Sequence, residues 1–235
     1  MTVAILFLIV LAAIVVYYGI PLAYSRWSRI ALRRKAVARS AVVLTLDDGP
    51  GSDLTPAILD ILAARRMKAT FFILGRNILG REDLLRRIAA EGHQIGSHGY
   101  THINYWKVSP WRAISDIRQG WHVINGVLGA SGTYPFRPPH GKLTIPCLLY
   151  LWLCRVPIVY WTIDSGDTWM PVTRRDGHRA ATVLRQHHGG VILAHDFDRQ
   201  QGDARPFVLG AVNEVLAVAE EEHMAVLTVS DLLKG

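Results

Sequence analysis

No aspartate or glutamate occurs before Asp47 in this 235-residue chain, and no charge of either sign occurs before Arg26. The gap excludes a salt-bridged surface helix at the start, and a buried core helix is rarely so long without a charge. A cleavable leader also fits poorly. No Lys or Arg precedes the apolar run, and Leu22-Ala23-Tyr24-Ser25 lacks the small-x-small pattern of a cleavage site. Cysteine is scarce: Cys147 and Cys154 are the only two, seven residues apart in a stretch that reads as helix. Two helical turns hold such residues about 10 Å apart, beyond disulfide reach, so buried free thiols are expected rather than a disulfide framework. Internal repeats and low-complexity tracts are absent, which excludes solenoids and disordered arrays.

In place of charge, the N-terminus holds an unbroken apolar run from Val3 to Tyr24. About 20 apolar residues cross a bilayer as one helix, so residues 1–24 read as a retained transmembrane anchor. Arg26, Arg29, Arg33, Arg34, Lys35 and Arg39 follow at once. Residues 25–40 read as a basic juxtamembrane linker, solvated or lying on anionic headgroups. Basic flanks mark the cytoplasmic side, so the expectation is a single-pass membrane protein with its remaining chain on the cytoplasmic face; an extracytoplasmic domain is the alternative. The net charge of +7 owes most of its excess to the linker and gives no reason to expect a nucleic-acid partner.

From Ala41 on, β-rich runs alternate with helical patterns, which predicts βα units, a parallel sheet and one α/β domain over 41–235. Strands are expected at 41–46, 69–74, 156–163, 190–194 and 225–228. Helices are expected at 55–66, 82–91, 111–128, 178–188 and 206–223. The chemistry-bearing residues gather where these strands end, the face at which α/β folds place their sites.

Val43-Leu44-Thr45-Leu46-Asp47-Asp48-Gly49-Pro50 ends a strand in two carboxylates, and Gly49-Pro50 lets both turn toward one mouth. Two carboxylates in one site repel unless a cation lies beside them, although a solvated turn would read the same way. His98 and His102 are four apart, the spacing that puts two imidazoles on one face of a helical turn. Alone they are a weak signal, but with Asp48 they have the composition of a catalytic metal site that keeps open positions. Phe136-Arg137-Pro138-Pro139-His140-Gly141 fixes a guanidinium beside a Gly-terminated loop, placed to pair with a carboxylate in a fork geometry. Trp161-Thr162-Ile163-Asp164-Ser165-Gly166-Asp167-Thr168-Trp169 and Ile192-Leu193-Ala194-His195-Asp196 are two further polar strand ends.

These five stretches, in this order, resemble the five motifs of the polysaccharide deacetylase family (the NodB-homology domain, carbohydrate esterase family 4), over essentially the whole chain from about Ala41. The resemblance implies a distorted (β/α) barrel with fewer than eight strands and a metal-dependent hydrolase that removes an N-acyl group, usually acetyl, from an amino sugar. It implies that Asp48, His98 and His102 hold one divalent metal ion, with zinc the default and cobalt, nickel or manganese also suited. Asp47 would be the general base and His195 the general acid, with Arg137 and Asp167 orienting them. The backbone N–H of His140 would help bind the oxyanion, and Trp169 would form part of the substrate wall. Four departures stand out: Leu46 replaces an aromatic, Gly99 replaces a hydroxyl residue after the first metal His, His140 stands where Tyr is common although its role is carried by the backbone, and Thr168 intervenes between Asp167 and Trp169.

The expected function is a membrane-anchored N-deacetylase of N-acetylated amino sugars in a polysaccharide, oligosaccharide or lipid-linked glycan precursor. A deacylase or deformylase specific for a polyprenyl-phosphate-linked amino sugar is a narrower alternative. A catalytically inactive carbohydrate-binding protein on the same fold is the alternative of another class, and it is expected to lack at least one of Asp47, Asp48, His98, His102 or His195. All five are present.

Overall fold

A computed structural model describes residues 2–168, 178–198 and 204–234. Helix α1 (Thr2–Ala38) runs unbroken through the apolar run, Pro21 and the basic segment. With a mean hydropathy of 2.9 over its most apolar window, it is long and apolar enough to cross a membrane. The segment 25–40 is therefore not a separate linker: up to Ala38 it is the second half of α1, and it is docked. Ser25, Ser28, Leu32 and Ala36 are buried against the domain, because small and apolar residues recur on one face at helical spacing.

Six strands form one parallel sheet: β1 (Ala41–Asp47), β2 (Thr70–Ile73), β3 (Gln94–Ser97), β4 (Ile163–Asp164), β5 (Gly190–His195) and β6 (Ala225–Val226). Their order is β3-β2-β1-β5-β4, with β6 paired to the start of β1. Single bridges from Ser97 to Phe136 and from Phe136 to Ile158 carry the curvature onward beyond β3, as in a distorted barrel. Helices α2 (Leu54–Ala64), α3 (Glu82–Ala90), α4 (Pro110–Leu128), α5 (Ile145–Leu153), α6 (Arg179–His187), α7 (Ala204–Glu221) and α8 (Val229–Lys234) complete the α/β architecture.

Side chains of a strand alternate between faces, and β1 shows the consequence. Val42, Leu44 and Leu46 join one apolar layer with Ile58, Leu59 and Leu62 of α2 and Val212, Val215 and Leu216 of α7. Val43 points into the other layer, with Phe72, Phe136 and Tyr160, closed by Leu32 and Ala36 of α1 and Cys147 and Leu151 of α5. Cys147 and Cys154 are free thiols; Cys147 is buried as expected, whereas Cys154 is only half-buried. At Gly189 the backbone has φ +153°, and an added Cβ would meet the Ala36 carbonyl oxygen at 2.7 Å. The far end of α1 therefore lies tightly on the entry to β5.

The strand expected over 156–163 survives only as the bridge at Ile158 and as β4. Pro157 offers no N–H to a ladder, and the carbonyls of Val159 and Tyr160 turn inward to accept from the Arg137 guanidinium at 3.2 and 3.4 Å. Helix α8 was not anticipated, because six residues are too few for a periodic signal.

Candidate active site

Asp47 ends β1 on the same face as Val43 and Thr45, and its side chain is only 3% exposed. Arg137 is wholly buried and supplies the compensating charge: one nitrogen, Nη1, donates to Asp47 Oδ1 at 2.8 Å and to the Thr45 hydroxyl at 2.7 Å. The guanidinium lies over the Phe72 ring at 4.2 Å. The predicted fork is therefore a single-nitrogen contact, because Nε and Nη2 are spent on the Val159 and Tyr160 carbonyls. Burial pushes the Asp47 carboxyl above its ordinary value, with Arg137 the main opposing influence. Burial likewise lowers Arg137. A carboxylate raised in this way is better able to accept a proton.

Asp48 follows at φ +71°, a left-handed backbone that Asp tolerates better than most residues, so successive carboxylates leave the strand in different directions. Its Oδ1 lies 3.4 Å from His102 Nε2 and 3.7 Å from His98 Nε2. One ligand atom from each of Asp48, His98 and His102 falls within a 4.8 Å cluster. His98 Nδ1 lies 2.8 Å from the Arg137 carbonyl oxygen, so Nδ1 carries the proton and Nε2 offers its lone pair to the cluster. Burial drives the His98 pKa down to about 3, keeping the ring neutral. Two imidazoles and a carboxylate suit a single divalent cation of the zinc class; the donor set fits the group that the motifs imply.

The two histidines do not share a helical turn. His98 follows the end of β3 and His102 sits at φ +59° in an irregular loop, with Gly99 between them at φ +80°. Asp116 of α4 shapes this loop. Its carboxylate is buried and accepts from the backbone N–H groups of Tyr100 and Thr101, from the Thr101 hydroxyl and from the Tyr105 hydroxyl. A Cβ at position 99 would stand 2.5 Å from Asp116 Oδ2, so a glycine there admits the clamp. Sequence reading passed over Asp116, since a lone acid on a helix carries no spacing signal.

Across the cleft, His195 ends β5. Asp167 accepts from both its backbone N–H and its Nδ1, each at 2.8 Å, which leaves Nε2 as the remaining titrating position. Burial pulls the His195 pKa down, but the charge and hydrogen bond of Asp167, helped by Asp48 and Asp47, outweigh it and raise the value to about 9. Its neighbour Asp196 is buried, accepts from the Thr55 hydroxyl at 2.6 Å and has its pKa pushed up, chiefly by burial, to about 7.

Asp47, Asp48, His98, His102, His140 and His195 line one cleft of about 430 Å³. Lys142, Trp161, Asp164 and Thr168 line it too. Sequence reading had not assigned Lys142 or Asp164 a part, nor seen that Trp161 is backed by α1. Arg29 of α1 stacks on Trp161 at 4.1 Å and donates to its carbonyl at 3.1 Å. His140 has a left-handed backbone, φ 57°, and its ring packs on that of His102 at 4.5 Å. Trp169 lies outside the described residues.

Residues 34–149 match the family model described as "Polysaccharide deacetylase". A chitooligosaccharide deacetylase of Bradyrhizobium sp. is 30% identical over 156 residues, covering 66% of this chain and 70% of that protein. The chain belongs to the polysaccharide deacetylase family. A peptidoglycan-N-acetylglucosamine deacetylase of Bacillus cereus is 36% identical over 157 residues, covering 67% of this chain and 56% of that protein. The PgdA peptidoglycan-N-acetylglucosamine deacetylase of Listeria monocytogenes is 33% identical over 168 residues, covering 70% of this chain but 34% of its own length, so the chain spans about a third of that relative. The crystal structure of the Bc1960 peptidoglycan N-acetylglucosamine deacetylase superposes with a TM-score of 0.73 at 28% identity, covering 83% of this chain and 89% of that one. Against the polysaccharide deacetylase pattern, the departure at Leu46 falls in the helix-facing layer, on the face of β1 opposite Asp47.

Proposed function

We propose that this chain is a membrane-anchored, metal-dependent N-deacetylase that releases acetyl from N-acetylated amino sugars of a glycan or glycan precursor. The observation that carries this reading is the meeting, in one cleft, of the Asp48, His98 and His102 cluster with a carboxylate held by Arg137 and an imidazole held by Asp167. Amide hydrolysis needs an activated water, a stabilised oxyanion and a proton for the leaving amine. A divalent cation at Asp48, His98 and His102 would supply a Lewis acid and water acidified to a pKa of about 7. Asp47 is the proton acceptor, fixed by Arg137 and Thr45. His195, protonated through Asp167, gives its proton to the sugar nitrogen. The backbone N–H of His140 is assigned to the oxyanion. The printed activities of the relatives, on peptidoglycan N-acetylglucosamine and on chitooligosaccharides, support an N-acetylglucosamine-type sugar.

In this reading residues 1–24 cross the membrane, and the basic half of α1 joins them to the catalytic domain, 41–235, on the cytoplasmic side. The basic residues from Arg26 onward support that orientation. A cytoplasmic domain meets glycan precursors, including lipid-linked ones, rather than exported polymer. Two measurements test the proposal. His98→Ala is expected to abolish metal content and amine release from N-acetylglucosamine oligomers, and retained activity would refute the metal assignment. A reporter active only outside the cytoplasm, fused after Gly235, is expected to stay silent; a strong signal reverses the orientation and returns exported glycans as substrate.

A further inference from the structure

One wall of the cleft is tied to the apolar stretch of α1 by aromatic side chains. The Tyr18 ring meets that of Trp106 at 5.2 Å, edge to face. Trp106 in turn donates from Nε1 to the Leu143 carbonyl at 2.8 Å, and the Lys142 ammonium stands 4.9 Å from the centre of its ring. Lys142 lines the cleft. Along the helix, Tyr18 precedes Arg26, the first charge of the chain, by eight residues. At 1.5 Å per residue Trp106 therefore stands about 12 Å on the apolar side of that charge.

The polar layer of a bilayer is only about 5 to 8 Å deep on each side of a hydrocarbon core of about 30 Å. A wall attached so far into the apolar run cannot stand clear of that layer once the run is embedded. Its composition agrees. Trp111, which opens α4 five residues after Trp106, is 82% exposed, and Trp27 on α1 is 63% exposed. Tyr17, Tyr18 and Tyr24 on α1 add the second of the two residue types that gather at membrane interfaces. Between Glu91 and Asp164 the only acid is Asp116, which is buried, while Lys107 and Arg112 are exposed beside Trp106 and Trp111.

We propose that the surface formed by Trp106, Lys107, Trp111 and Arg112, next to the cleft-lining Lys142, sits in the headgroup layer of an anionic phospholipid bilayer, so that the cleft opens onto the membrane surface. The proposal rests on the reading that α1 crosses the membrane. Tyr18 and Trp106 fix the depth, the exposed tryptophans anchor in the interface, and Lys107 and Arg112 meet phosphate. Cations near such a surface are drawn to it by its negative potential. The amide to be cleaved then reaches Asp47 and His195 from the plane of the membrane.

The test uses the full chain in vesicles of phosphatidylcholine and phosphatidylglycerol, in a Cys154→Ser background with the buried Cys147 retained. A fluorophore is placed in turn at Trp111→Cys, Lys107→Cys, Ile9→Cys and Lys68→Cys, and quenched by nitroxide lipids labelled at the headgroup or deep in the acyl chain. The labels at 111 and 107 are expected to lose most of their emission to headgroup nitroxide, and the label at 68, just before β2 at the far end of the barrel, to lose little. Labels at 111 and 107 as bright as the one at 68 overturn the proposal. So does shielding from aqueous iodide without lipid quenching, as a contact between two copies of the chain would give. The label at 9 separates the two readings: if deep nitroxide leaves it bright, the membrane span itself fails; if it is quenched while 111 and 107 are not, the span stands and only the docked wall fails.

Discussion

Replacing Asp167 by Asn removes one negative charge and keeps the shape of the side chain that holds His195. In the intact protein His195 is raised from its ordinary 6.5 to about 9 in spite of burial. A shift of that size corresponds to about 3 kcal/mol in favour of the protonated ring. Without the Asp167 charge, burial is opposed only by Asp48 and Asp47, and the pKa falls back to about its ordinary 6.5. At about pH 8 the protonated fraction then drops from roughly nine tenths to about 3%, a loss of about 30-fold in the form able to give a proton to the leaving amine. The variant should lose amine release by at least that factor at alkaline pH and recover much of it toward pH 6. The stability consequence has the same origin. Because the folded value is raised, the ion pair stabilises the fold fully below about pH 6.5, and that stability is lost as pH rises through about 9. Asp167→Asn should therefore flatten the fall of Tm across this window. NMR titration of the His195 ring in chelator-treated protein, where the Asp48 charge is uncompensated, gives the pKa directly. An unchanged titration in the variant, or an equal loss of activity at every pH, would refute the reasoning.

Asp116→Ala leaves four donors of the 97–105 loop without their acceptor. The expected result is a metal affinity lower by about 10- to 100-fold in calorimetric titration, partly restored in Asp116→Asn, with Asp47 and His195 unaltered. Gly189→Ala forces a Cβ to 2.7 Å from the Ala36 carbonyl at a backbone angle that side chains rarely adopt. Thermal denaturation should show a loss of about 1 to 3 kcal/mol, with kcat unchanged if α1 seats again. Leu46→Ala should cost about 2 to 5 kcal/mol in denaturant unfolding and leave kcat/KM nearly intact, because the side chain faces α2 and α7 rather than the cleft.

The α/β class, the parallel sheet and the metal cluster were legible because each leaves a local mark. β1 and β5 are continuous apolar runs ending in acid or imidazole, and Asp48, His98 and His102 fall where strands end. What escaped was set by tertiary contact. Arg137 was visible as a residue, but the division of its nitrogens among Asp47, Thr45, Val159 and Tyr160 depends on two segments far from it in sequence, β1 and the stretch 159–160. Those same bonds dissolved the strand expected at 156–163. His98 and His102 have helical spacing in a loop that is not helical, and the conformation follows from Asp116, more than ten residues onward. The largest misreading lay at 25–40, where a run of arginines resembled a solvated linker. The buried positions Ser25, Ser28, Leu32 and Ala36 had helical spacing all along, masked by the charges between them.

If α1 crosses a membrane, as proposed, its continuity makes it a mast rather than a leash. Sixteen residues of flexible chain would let a tethered domain wander about 20 Å from its anchor and tumble over every orientation. A helix seated on the barrel from Ser25 to Ala36 allows neither motion, so height above the bilayer and the direction of the cleft are fixed together. On that reading, encounter with substrate would be a search in two dimensions at constant depth, and sugars would be selected by where they stand relative to the lipid surface before the cleft tests their chemistry. Shortening the mast by one residue would rotate the domain by about 100° about the helix axis and carry the cleft with it.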